Sequence, residues 1–209
     1  MTMRSEPRIT LNPATLLAPA PAVMVSCAGV SDALRKPNII TLAWVGTVCS
    51  EPPMLSISVR PSRFSYAQIV ESREFVVNLV GQKLMRAMDY CGVKSGRDVD
   101  KFKQCSLTPA PMEGLALAPA IAEAPVSLGC ALCQVISLGS HDLFLAEIRQ
   151  VTVDPALMDA GGKLRFSRAD LVAFSHGEYV ALGEALGFMG YSVASPEALG
   201  RRMAALKEG

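Results

Sequence analysis

Asn38, Thr41 and Trp44 follow one another at three-residue intervals, setting an amide, a hydroxyl and the sole tryptophan of the chain in one short stretch. A Ser-Glu-Pro-Pro turn and an alternating apolar segment come next. Then Pro61-Ser62-Arg63-Phe64-Ser65-Tyr66 joins a positive charge and two serine hydroxyls to the start of a helix. Such a set suits a ligand with a flat polar ring at one end and a phosphate at the other. Each part also has a plainer explanation. Ser65 and Gln68 fit the S-x-x-Q capping box, so Ser65 could simply cap a helix. A helix N-terminus nevertheless offers free N–H groups and a favourable dipole to a phosphate, and Arg63 is a natural charge partner there. Trp44 taken singly reads as a core or interface residue, Asn38 as a turn residue after Pro37, and Thr41 as an ordinary strand residue.

A second group lies further on. Gly96-Arg97-Asp98-Val99-Asp100-Lys101-Phe102 holds cations and acids in an irregular region, where a solvated loop with weak local ion pairs is the usual outcome. Lys101 becomes a functional candidate only if it turns inward, and Phe102 could anchor it so. His141 follows the Gly139-Ser140 turn, and His176 sits before Gly177. With two histidines and no H-x-x-x-H spacing, a metal site is not expected. Cys130-x-x-Cys133 spells a redox or zinc motif, but an odd separation on a strand sends the two thiols to opposite faces. No second pair completes a zinc site, and no G-x-S-x-G, Walker A or G-x-G-x-x-G is present.

The elements that must position these residues are mostly strands. Val23–Cys27, Ile39–Val45, Met54–Val59, Phe75–Val80, Val126–Ile136 and Asp142–Val153 read as strands by alternation. Helical spacing marks Tyr66–Ser72 and Leu84–Tyr90, a proline-started turn follows Asp154, and Pro196–Lys207 reads as a peripheral amphipathic helix. Residues 93–120 lack periodicity and read as a long functional loop. Strand dominance without βα alternation predicts a β-barrel or sandwich with helical decoration.

Composition narrows the partners. The chain has 209 residues, half of them apolar and only 19% charged, which suggests an apolar surface covered by a second subunit. A net charge of +1 without charge blocks argues against nucleic acid and membrane surfaces. The scattered cysteines read as reduced core residues, the apolar run from Leu16 is broken by prolines, and no stretch reaches bilayer length. The expectation is a cytoplasmic protein with a small ligand.

In order, N-x-x-T-x-x-W, S-E-P-P, S-I-S-V, R-P-S-R-F-S-Y, E-F-V-V-N-L, C-G-V-K-S-G-R-D-V-D-K-F and G-S-H-D-L-F-L-A-E-I resemble the flavin-reductase-like FMN-binding split-barrel family, in particular its flavoredoxin branch. The resemblance spans roughly residues 18 to 155. It implies a mainly β fold with small helices, a six-stranded Greek-key split barrel in a single domain over 1–209. A C-terminal extension would occupy 156–209. It further implies FMN held near the interface of a homodimer.

The same resemblance puts Asn38 and Trp44 at the isoalloxazine ring and Thr41 beside them. Ser65 would sit near the flavin phosphate with Arg63 and Tyr66, and Lys101 and His141 at the flavin. Phe174 follows from a weaker Phe-x-x-x-x-Tyr pattern. No catalytic residue is assigned. Departures are a Leu-Ala-Glu where glycine commonly precedes the glutamate and Cys130 where an acid is common. The implied activity is that of an FMN-binding oxidoreductase or electron-transfer flavoprotein. The alternatives are an NAD(P)H:flavin oxidoreductase using flavin as substrate, or a flavin-binding module without turnover. The electron donor would be NAD(P)H or a small redox protein. A thiol-redox protein acting through Cys130 and Cys133 is disfavoured.

Overall fold

Alternation along the strands decides the architecture. In β2 (Val23–Cys27), Val23, Val25 and Cys27 enter one apolar cluster while Met24 enters another, so both faces are covered and all five residues are buried. β3 (Asn38–Leu42) divides the same way, Ile40 to the first cluster and Ile39 to the second. Leu55 and Ile57 from β5 (Pro53–Val59), Phe75 and Val77 from β6 (Glu74–Leu79), Cys130 from β9 (Val126–Ser137) and Phe144 from β10 (Asp142–Val153) complete the first cluster. One face of every long strand therefore points to a shared interior, as a rolled sheet requires.

The structure, a computed structural model, describes residues 8–207. With β4 (Val45–Ser50), seven strands form one antiparallel ladder in the order β3-β2-β6-β9-β10-β5-β4. The two edge strands, β3 and β4, are consecutive in the chain and separated only by Ala43 and Trp44. That link spans at most about 11 Å, so the end of β3 and the start of β4 lie close together, and Ser58 N of β5 donates to Trp44 O at 3.0 Å, carrying the β4–β5 ladder into the link. The result is a split barrel whose ladder stays open where the strand bends.

Helix α1 (Phe64–Ser72) closes one end of the barrel, with Ile69 fully buried in the interior cluster. Gln68 fixes this helix: its amide donates to Leu34 O at 2.7 Å and Lys36 O at 2.8 Å. Outside the barrel, α2 (Met85–Val93) covers β3 through Met88 and Cys91. Asp100 accepts from Lys103 N at 3.1 Å as the N-cap of the short α3 (Lys101–Gln104), and it pairs with Lys36 at 3.0 Å.

Residues 93–120, expected as a long loop, are largely tied down. α3 occupies part of them, and β7 (Pro109–Ala110) pairs with β8 (Ala120–Ile121). Met112 and Ala118 pack on Val76 of the barrel wall. The Glu74 carboxylate accepts from the N–H groups of Ala116, Leu117 and Ala118 at 2.8 to 3.3 Å. Glu74→Ala should free this segment at a cost of about 1 kcal/mol, read as a lower Tm and faster cleavage at Leu115 and Leu117 by a protease that cuts after leucine.

The C-terminal part returns to the barrel. β11 (Val172–Ser175) pairs with β12 (Glu178–Ala181) across a two-residue turn, and with β1 (Ala20–Pro21) on its other edge. His176 and Gly177 both have positive φ, 47° and 94°, the geometry a type I′ turn demands. α4 (Pro196–Lys207) is peripheral as expected, with Arg202 over the Phe188 ring at 4.0 Å. Among the described residues no helix is long and apolar enough to cross a membrane.

Candidate functional site

The mouth of the barrel is where β3 and the N-terminus of α1 meet. Asn38, at the start of β3, is 3% exposed and donates from its amide to Ser65 Oγ at 2.9 Å. Ser65 does not cap the helix. The N-cap is Arg63, whose side chain makes no capping bond, and Ser65 lies one residue inside the helix. The capping-box expectation is thereby corrected: Gln68 is turned away to Leu34 and Lys36, and no side chain satisfies the first turn of α1. Such a turn presents N–H groups to an anion.

Opposite this helix start stands the segment between α2 and α3. A Cβ added to Gly96 would come within 2.3 Å of Asn38 Oδ1, so only glycine lets the backbone lie this close to the amide. Arg97 reaches across, donating to Ser62 O at 3.2 Å and lying 5.5 Å from the Phe64 ring centre. Between the two walls is a cavity of about 360 Å³ lined by Asn38, Arg60, Arg63, Ser65, Gly96, Arg97 and Lys101 among others. A smaller space of about 160 Å³ shares Ile40, Arg60 and Arg63 with it and carries Thr41, Trp44 and His141. The two make one continuous cleft.

Lys101 does turn inward. It is 3% exposed, and Nζ donates to Ile39 O at 2.6 Å and Cys91 O at 2.7 Å. An ammonium has three N–H donors, so one is left for the cavity. Burial holds its pKa below the usual lysine value, and nearby Arg63 acts in the same direction. Phe102 is buried beside α2, which is the anchor the sequence suggested. Arg60, Arg63, Lys94, Arg97 and Lys101 line the cavity without a carboxylate, and none of them takes part in an ion pair among the described residues. A ligand with negative charge is what this field selects.

The other end is aromatic. Trp44 is 46% exposed rather than buried, and its ring lies 4.6 Å from that of His141. His141 Nε2 accepts from Arg60 Nε at 3.3 Å. Burial, then Arg60 and Arg63, push the imidazole below 6.5. The unfolded chain therefore takes up this proton at a pH where the folded one has not, and the stability due to neutral His141 is lost as pH falls through the window beneath 6.5. The ligand-free protein should show a falling Tm across that window, and His141→Gln should flatten the slope.

Not every candidate residue reaches the cleft. Thr41 lines its smaller part, but its hydroxyl donates to Met88 O and packs against Gly92. The three-residue interval places it on the opposite strand face from Asn38. Tyr66 donates to Asp142 Oδ2 at 2.7 Å and meets Phe144 edge-on, a packing position at the barrel end. Phe174 packs with Tyr179 and the α2 cluster, apart from the cleft. Cys130 is buried and Cys133 exposed, as strand alternation requires, and no metal-holding group of three or more side chains occurs among the described residues. Arg60, Lys94, Gly96 and Arg97 are among the lining residues that sequence reasoning did not place at the site. Arg60 and Arg97 stood inside stretches already singled out.

Residues 16–182 match the flavin reductase-like domain family. An uncharacterised protein of Archaeoglobus fulgidus is 30% identical over 130 residues, covering 62% of this chain and 73% of that protein. Flavoredoxin of Desulfovibrio vulgaris (Miyazaki F) has a similar structure, with a TM-score of 0.79 and 33% identity over 87% of this chain and 96% of its own. Flavoredoxin from Methanosarcina acetivorans superposes with a TM-score of 0.80 at 25% identity, covering 90% and 100% respectively.

Proposed function

Since this chain belongs to the flavin reductase-like family, we propose that its cleft binds FMN and that it works as a flavoredoxin-like, electron-transferring oxidoreductase. The observation that carries this reading is the cavity itself. Five cations without a carboxylate surround an uncapped helix N-terminus, and an aromatic pair lines the adjoining space. Those residues fit a phosphorylated flavin. Arg63, Arg97 and the first turn of α1 would hold the phosphate, Lys101 and Asn38 the polar edge of the ring, and Trp44 with His141 would shield a ring face from water. Bound flavin would supply the electron-accepting and electron-donating centre. Lys101 would favour negative charge on its ligand through its remaining N–H, and the Gly96 contact would hold Asn38 in place.

A second reading has its own support. Five cations exceed what one phosphate monoester needs, which favours an anionic nucleotide such as NAD(P)H entering the same cleft with flavin as cosubstrate. An absorption spectrum of the purified protein, followed by anaerobic NADH and NADPH additions, separates the two. A flavin spectrum unchanged by either nucleotide supports the carrier, and rapid bleaching supports the reductase. A colourless protein that also ignores added FMN would sink both. Flavin that binds but accepts electrons from no donor would mark a binding module.

Trp44→Ala should weaken FMN binding about two- to tenfold, the usual worth of a ring contact. Tm should barely change, because the indole is already 46% exposed. We further propose a cytoplasmic homodimer. Leu186, Met189 and Val193, each about nine-tenths exposed, supply apolar surface for a second copy to cover.

A further inference from the structure

The segment that forms one wall of the cleft, from Gly92 to Gln104, is bracketed by two cysteines. Cys91 ends against it from α2, and Cys105 follows α3 directly. Their sulfurs lie 4.0 Å apart, although the residues are separated by fourteen positions in the chain. Both thiols are free, Cys91 fully buried and Cys105 half-buried. A disulfide needs sulfurs about 2 Å apart, so closing the pair requires an approach of about 2 Å between sulfurs that already face each other.

We propose that Cys91 and Cys105 are a thiol–disulfide couple whose oxidation covalently latches this wall of the cleft. Cys105 is the entry point because it is the more accessible thiol. Its thiolate attacks a small-molecule disulfide, forming a mixed disulfide and releasing one small thiol. The Cys91 thiolate then attacks the Cys105 sulfur, forming the internal S–S bond and releasing the second small thiol. Two protein S–H bonds are lost, one protein S–S bond is gained, and the two electrons and two protons leave with the two small thiols. Burial pushes both thiols up, Cys91 to about 12, which lowers the thiolate fraction and slows the exchange.

The bridge would act on the site through neighbouring contacts. Cys91 O accepts from Lys101 Nζ at 2.7 Å, and Cys105 N donates to Lys101 O at 3.0 Å. Lys101, Arg97, Gly96 and Lys94 all lie inside the loop that the bond would close. The chemistry of the couple does not depend on which ligand fills the cleft.

The test uses the full chain with Cys49→Ser and Cys133→Ser, which removes the two other thiols that are not fully buried. Oxidised glutathione should lower its mass by about 2 Da, with a Cys91–Cys105 linked peptide in a non-reducing digest. Trypsin cleavage of the folded protein after Lys94 and Arg97 should slow about threefold or more. Adding Cys105→Ser should abolish both effects, and Cys105→Ala serves if the serine variant folds poorly. No bridge, a bridge to Cys27 or Cys130, or unchanged cleavage rates would overturn the proposal. FMN titration of both forms is run in parallel. Absence of FMN binding in both counts against the proposed function alone and leaves the bridge and cleavage results standing.

Discussion

Lys101→Met is expected to weaken FMN binding roughly ten- to hundredfold, the range for losing a hydrogen bond from a buried charge. The side chain is anchored by Ile39 O and Cys91 O, so its free N–H is held in place before any ligand arrives. Pre-organisation of that kind gives full value to a single charge-assisted contact. If the cation faces the ring, it also favours the reduced, more negative flavin over the oxidised one. The two-electron potential of bound FMN should then fall by about 30 mV for each tenfold loss of that preference. Tm should fall as well, since methionine keeps the packing but leaves Ile39 O and Cys91 O without the ammonium they accept from. Isothermal titration and a spectroscopic redox titration read the two effects. An unchanged potential with weakened FMN but normal riboflavin binding would make Lys101 a phosphate ligand. No change in either would leave it a structural tie between β3 and α2.

How much of this was legible beforehand depended on the kind of information each feature carries. The barrel strands could be read because Leu55, Ile57 and Val59 alternate with serines, and burial follows that alternation in the structure. The β11–β12 hairpin went unread because a His-Gly turn lacks the Asn-Gly or Asp-Gly signal, although it adopts the same positive-φ geometry. The start of α1 was misplaced by two residues because Ser65 and Gln68 satisfy a capping template locally. Tertiary contacts to Leu34 and Lys36 overrule it.

The site was harder. Asn38, Thr41 and Trp44 look equivalent in a string, but strand periodicity of two sends Thr41 to the α2 side and leaves Asn38 facing the cavity. Arg97 sits beside Asp98 in the chain and reads as half of a surface ion pair. Its actual partner is Ser62 O, thirty-five positions away, and no local pattern encodes that reach. Lys101 was legible as a candidate because Phe102 follows it and because the family resemblance puts a lysine there. The cap at Asp100 and the tie to Lys36, which turn the lysine inward, are long-range facts.

Arg63→Ala combined with Arg97→Ala should reduce FMN affinity about thirty- to hundredfold while moving riboflavin affinity less than about threefold. The two arginines approach the cavity from opposite walls, Arg63 at the N-cap of α1 and Arg97 from the segment before α3. Neither is neutralised by a carboxylate among the described residues. Their summed effect stays below that of two buried contacts because both side chains are exposed, and solvent screens part of each attraction. Riboflavin lacks the phosphate, so it reports on the ring end alone. FMN affinity of the parent protein should fall as ionic strength rises, and the double variant should lose most of that dependence. Equal losses for FMN and riboflavin would mean that the arginines shape the cleft rather than hold the phosphate. Full retention of FMN binding would move the phosphate away from α1 altogether. In that event the uncapped helix start would be a consequence of how Gln68 secures the barrel end, and Lys101 would become the first cation to test in the phosphate role.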